Sequence, residues 1–324
     1  MISGSYRTHR IPTVGQHVAP PPREDVAVRP NLFIIGAMKS GTTYLRKLLA
    51  AHPAIFMCEP DEPSYFVEPR ELRKLWPDMW RRRIWQSEKR YLALFGQASS
   101  VPILGEASTA YTKAPMVSGV AARIQAFNPG ARCIYIMRDP VERTISHYWH
   151  MVRYETEYRE MATAIQCDPQ FLAVSHYAAQ LAPFLERFGH NGVYTLTFEA
   201  LVADGWATMC GIYAWLGLDP NAADRVTFEV PEHVTPAIVS QPKAGGIVRR
   251  VRQWPAAERV VARLPPSFHR ALHRLTTNEV RRVDVDTTTV KRLLRPVHRR
   301  QTEELTKLLG REFPEWVTLN ESRP

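Results

Sequence analysis

The sequence predicts an α/β fold of three layers, with helices covering both faces of a central parallel sheet. Two observations carry this. Residues 32–35, 132–137 and 193–197 are short runs rich in β-branched and aromatic side chains, without regular polar alternation. The first two fit strands buried on both faces, and the third reads as a strand. Helical patterning then follows at 42–51, 141–153 and 205–216, and strands alternating with helices form parallel sheets.

Taken in order, residues 1–29 carry Pro20, Pro21 and Pro22 and no apolar period, which predicts a mobile tail. The ordered chain is expected from Asn31. The first strand ends at Gly36, and the helix after it closes near His52-Pro53. Residues 68–95, with many Arg and Trp, read as a helical insertion. The strand at 132–137 leads into Arg138-Asp139-Pro140, with Pro140 suited to a first helical turn. Residues 230–298 mix Pro, Gly and Arg and read as a variable cap of loops and short helices over the mouth of a site. No internal repeat or long linker interrupts the rest, so 30–324 is expected to be one domain.

Of 324 residues, 45% are apolar and 23% charged, which excludes collagen-like, wholly disordered and disulfide-scaffold chains. The net charge is +10, and residues 243–311 hold 17 Lys+Arg against 6 Asp+Glu. The basic excess therefore belongs to one segment. It suits an anionic acceptor beside a cleft, or a solvated or membrane-facing surface. No nucleic-acid motif occurs, and Pro interrupts the Arg-rich stretches, so neither a nucleic-acid partner nor one long basic amphipathic helix is expected. The four cysteines form no CxxC pair, and Cys133 in an apolar run reads as a buried free thiol. No apolar leader opens the chain and no run of 18 apolar residues occurs, which predicts a cytoplasmic protein without a transmembrane segment.

The sharpest motif is Gly36-Ala37-Met38-Lys39-Ser40-Gly41-Thr42-Thr43, between a strand and a helix. Such a turn aims consecutive backbone N–H groups at a helix N-terminus, an anion site by geometry and dipole. Lys39 adds a point charge, and Ser40, Thr42 and Thr43 add hydroxyls. A nucleotide-triphosphate loop would need Lys where Thr42 stands. His150 follows Ser146 by four residues, so the two share a helix face.

Lys39-Ser40-Gly41-Thr42-Thr43 after a buried strand, with Arg138-Asp139-Pro140 and Ser146 about 100 residues later, resembles the sulfotransferases that use 3′-phosphoadenosine 5′-phosphosulfate (PAPS). The subgroup most similar is the bacterial enzymes akin to the heparan sulfate sulfotransferase domains. The resemblance covers roughly 31–218 and continues weakly to a closing helix at 305–309 and Trp316. It implies the P-loop NTPase-like sulfotransferase fold, with PAPS as co-substrate, adenosine 3′,5′-bisphosphate (PAP) as product, and no metal. Lys39 would serve the bridging oxygen. The amides of Ser40, Gly41, Thr42 and Thr43 would hold the 5′-phosphate, and Arg138 and Ser146 the 3′-phosphate. A late basic loop, Lys243 or Arg249, would close over it. Glu62 matches the family's base, with Glu59 as a rival, and His150 would line the site. Two departures stand out. Asp61 occupies a position where many bacterial relatives carry Lys, and Ala107 follows Glu106 where some glycan-directed relatives carry Lys. The acceptor would be a hydroxyl or amine of a carbohydrate, lipid or small molecule. The alternatives are a nucleotide-triphosphate-dependent kinase on the same fold, which lacks its GK[ST] here, and an inactive anion-binding relative.

Overall fold

A computed structural model describes residues 29–98, 100–154, 156–225, 237–242 and 277–321. Lys243, Arg249 and nearly all of the predicted tail lie outside them. Arg29, assigned to that tail, is instead anchored: it donates to Phe127 O at 2.7 Å and pairs with Glu88 at 3.0 Å.

Five parallel strands form the central sheet: β1 (Leu32–Gly36), β2 (Ile55–Met57), β3 (Ile103–Ala107), β4 (Arg132–Met137) and β5 (Val193–Thr197), in the order β2-β3-β1-β4-β5. The apolar runs are continuous because both faces are covered. Phe33, Ile35, Cys133, Tyr135 and Met137 enter one core with the helices Val120–Phe127, Pro140–Arg153, Tyr177–Gly192 and Thr288–Leu309. Leu32, Ile34, Ile134 and Ile136 enter the other with Thr42–Ala50 and Gly205–Leu216. Each such side chain contributes roughly 1.5–3 kcal/mol on burial. The result is the predicted three-layer α/β/α architecture. From β1 the chain runs out to β2, returns to β3, then crosses to β4 on the other side of β1. That reversal opens a crevice at the carboxyl ends of β1 and β4, where ligands of such sheets bind.

The sequence reading did not anticipate β2 or β3. β2 has three residues, and β3 carries Gly105 and the fully buried Glu106, which break its apolar run. The insertion is helical as expected, in short pieces that include Pro69–Leu75, Pro77–Arg81 and Glu88–Leu92. The region read as loops and short helices differs in its described part. There β6 (Ile238–Pro242) and β7 (Thr277–Arg281) pair antiparallel, and one helix runs from Thr288 to Leu309 through Pro296. That helix holds because Val290, Leu294 and Leu305 bury one stripe along it. Among the described residues, no helix is long and apolar enough to cross a membrane.

Candidate functional site

The loop after β1 is tied to the neighbouring strand. Ala37 N–H donates to Ile136 O at 2.7 Å, and Ser40 N–H closes a turn on Ala37 O at 3.2 Å. The Ser40 amide is thereby used, so the row of open donors begins at Gly41 and continues into the first turn of the Thr42–Ala50 helix. Two glycines are required by space and by dihedral. A Cβ on Gly36 (φ +147) would lie 2.1 Å from Thr112 Oγ1, and one on Gly41 (φ +92) would lie 2.5 Å from the Phe198 ring. Lys39 is left-handed at φ 67, a strain that non-glycine residues carry mostly at functional sites. Ser40 is fully buried, while Thr43 is exposed.

Arg138 leaves the end of β4, one strand over. Its guanidinium sits 5.3 Å from the centroid of Phe198, the ring that packs on Gly41. Asp139 caps the next helix, accepting from Val141 N at 3.0 Å and Glu142 N at 3.3 Å. Its other oxygen receives Leu319 N–H at 2.9 Å. That helix carries Ser146, 5% exposed, and His150 one turn further. Burial, reinforced by Arg138, Arg153 and Arg282, lowers the Lys39 pKa to about 8. Burial with Lys39, Lys113 and Arg153 lowers His150 to about 3, so the imidazole is neutral near pH 7. Arg282 follows β7 and lies over Trp149 at 5.9 Å. Neither Arg153 nor Arg282 was identified from the sequence, where no motif marks them.

The carboxylates near residue 60 separate. Arg46 pairs with Glu59 at 2.5 Å and Asp61 at 2.7 Å, drawing both to the first helix. Glu62, left-handed at φ 56, turns the other way. Its Oε1 accepts from Thr109 N at 3.0 Å and Thr109 Oγ1 at 2.6 Å, while its Oε2 is buried with no hydrogen-bond partner. Burial raises its pKa, and Thr109 and the Lys113 ammonium oppose that rise.

A network under β3 holds this loop. Glu106 accepts from Tyr91 at 2.6 Å, Tyr111 at 2.8 Å and Ser108 at 2.7 Å, and Ser108 Oγ takes Ser64 N–H at 3.0 Å. Tyr65 stacks on Tyr91 at 4.2 Å, and Phe66 meets Tyr111 edge-on at 5.9 Å. Thr109, Lys113 and Tyr91 were missed as members of the site.

The sheet thus brings Lys39 and Arg138 to the ends of neighbouring strands, with His150 and Lys113 acting electrostatically around them, and Ser146 lies buried on the helix of His150. A family model described as the sulfotransferase family matches residues 30–222. The chain belongs to the sulfotransferase family. Among curated members, the membrane-associated sulfotransferase kil1 of Dictyostelium discoideum is 31% identical over 128 residues, 39% of this chain and 24% of that protein. Heparan sulfate glucosamine 3-O-sulfotransferase 3B1 of Mus musculus is 24% identical over 206 residues, 60% of this chain and 48% of that protein. The matched stretches thus span between a quarter and a half of these relatives. A crystal structure of a sulfotransferase from Alicyclobacillus acidocaldarius shares the fold at a TM-score of 0.62 and 22% identity, covering 89% of this chain and 99% of that one.

Proposed function

We propose that this chain transfers a sulfuryl group from PAPS to a hydroxyl or amine acceptor. The observation that carries the reading is the glycine-lined loop after β1, which holds Lys39 and shares the Phe198 ring with Arg138 at the end of β4. Burial with Arg138, Arg153 and Arg282 lowers the Lys39 pKa to about 8, a repulsion that a polyanionic ligand relieves. The two crowded glycines leave the backbone bare for such a ligand.

In this reading the amides from Gly41 onward hold the 5′-phosphate, and Arg138 with Ser146 grips the 3′-phosphate, Arg138 being suited to bidentate contact. Arg282, just after β7, acts electrostatically on Lys39 and feels Arg138, which makes it a further cation for the donor. The donor, when bound, supplies an activated sulfuryl group whose S–O bond to the 5′-phosphate breaks, the electron pair leaving with PAP. Lys39 neutralises the charge that grows on that oxygen. Glu62 takes the proton that the acceptor oxygen or nitrogen loses on bonding to sulfur. Neutral His150 lines the sulfuryl position. The heparan sulfate named for the mouse relative supports carbohydrate among the acceptor classes.

Isothermal titration with PAP and ATP tests the donor. PAP is expected to bind far more tightly, and equal or stronger ATP binding overturns the reading. Transfer of labelled sulfate from PAPS to carbohydrate, lipid and amine panels then identifies the acceptor.

A further inference from the structure

Arg46 lies on the Thr42–Ala50 helix, about one turn past the loop after β1. Its side chain is 15% exposed and turns toward the chain that leaves β2. There it donates to Cys58 O at 2.8 Å and to Glu59 Oε1 at 2.5 Å, and its Nε stands 2.7 Å from Asp61 Oδ1. Cys58 is buried, and a buried carbonyl needs such a donor. One planar group thus engages residues 58, 59 and 61, and the fork of an arginine fixes direction as well as distance. Glu59 is exposed and Asp61 half-exposed, and ion pairs of that kind add little stability. What the contacts define is the path of the loop. Glu62 follows at once, left-handed at φ 56, with its amide on Ala107 O at 3.0 Å and its Oε1 on Thr109. From the insertion, Arg82 donates to Asp61 O at 2.5 Å. The loop of Glu62 is therefore held by β3, by the insertion and, through Arg46, by the helix whose first turn carries the open amides.

We propose that Arg46 is a positioning residue of the transfer site, fastening the loop of Glu62 to the helix that opens the anion-binding loop, so that filling one half of the site steadies the other. The helix is a single piece of nine residues, and Thr42 and Arg46 stand one turn apart on one side of it. A ligand that orders its first turn orders the guanidinium one turn on, and with it the three residues before Glu62 that the guanidinium holds. The role rests on the sulfotransferase reading for what the two halves bind, and the tether itself does not.

The test is amide hydrogen exchange on the full chain, read at Thr109, whose N–H Glu62 accepts, with PAP as the probe. In wild type, PAP is expected to slow exchange at Thr109 about threefold or more. Arg46→Met keeps the stem of the side chain and removes the fork. Without ligand it is expected to raise Thr109 exchange about tenfold or more, and with PAP bound the slowing should be lost. Arg46→Lys, which keeps the charge without the fork, is expected to restore only part of the protection. A merely structural Arg46 would change the free rate and leave the response to PAP in place, so a response that persists in Arg46→Met overturns the proposal, as does an unchanged free rate. If Arg46→Met does not fold, Asp61→Lys decides. It sets a like charge against Arg46 on the exposed side of the loop and is expected to produce the same two effects, and wild-type behaviour in that variant overturns the proposal. Wild-type protein that fails to bind PAP overturns the sulfotransferase reading, and the ligand-free rates then decide the tether.

Discussion

The proposed anion-binding half of the site and its carboxylate half sit at the ends of neighbouring strands, yet they draw on the chain differently. The first is made of two short stretches of chain: residues 36–41 with the helix start at Thr42, and the turn at Arg138. Its requirements are space and dihedral, as at Gly36 and Gly41. The second is made of side chains gathered from Glu62, Tyr91, Glu106, Ser108 and Thr109, each held by another. The difference teaches that shape controls one half and individual atoms control the other.

Glu62→Gln sharpens this most. It keeps the volume and removes the proposed base, so turnover is expected to fall roughly a hundred- to ten-thousand-fold while calorimetry shows PAP affinity unchanged. Lys39→Ala is expected to lower turnover on the order of 10²–10³-fold, and PAP affinity should fall with it, since this residue belongs to the donor half. Gly41→Ala alters no charge. It forces a Cβ against Phe198 at φ +92, which should reduce stability by about 1–3 kcal/mol in urea unfolding and weaken PAP binding. A fully stable, tight-binding Gly41→Ala would break the claim that shape rules this half.

Glu106→Gln leaves the donor half alone and acts on stability against pH. Burial raises Glu106 from its ordinary 4.5 to about 7. The folded protein therefore holds a proton that the unfolded chain has released between those values. Its contribution is intact below pH 4.5 and declines as pH rises through 7. Glu106→Gln should remove a slope of up to about 1.4 kcal/mol for each pH unit in that window, seen by comparing urea midpoints of the two proteins from pH 5 to 7.

The same contrast explains what could be read in advance. The sheet's centre was legible because continuous apolar runs at β1 and β4 report burial on two faces. The loop at Lys39 and the turn at Arg138 were legible because their chemistry is local to a few residues. β3 was not, since its buried glutamate looks like a surface residue until Tyr91 and Tyr111 are seen around it. Lys113 and Arg282 were not, because a single cation carries no periodicity. Their place follows from Gln180 clamping Ala114 in one case and from β6 pairing with β7 in the other. The long helix at Thr288–Leu309 was obscured by Pro296, which argues locally against a helix that packing sustains.

Asp139 has both oxygens engaged, one capping the helix of Ser146 and the other holding the amide of Leu319. Thr318 meanwhile donates to Glu142 at 3.0 Å, on the first turn of the same helix. The segment at 317–320 and the Arg138 turn therefore open together or stay closed together. A ligand that steadies Arg138 should slow hydrogen exchange at the Leu319 amide, so occupancy of the crevice becomes readable from a peptide group that belongs to neither anion grip.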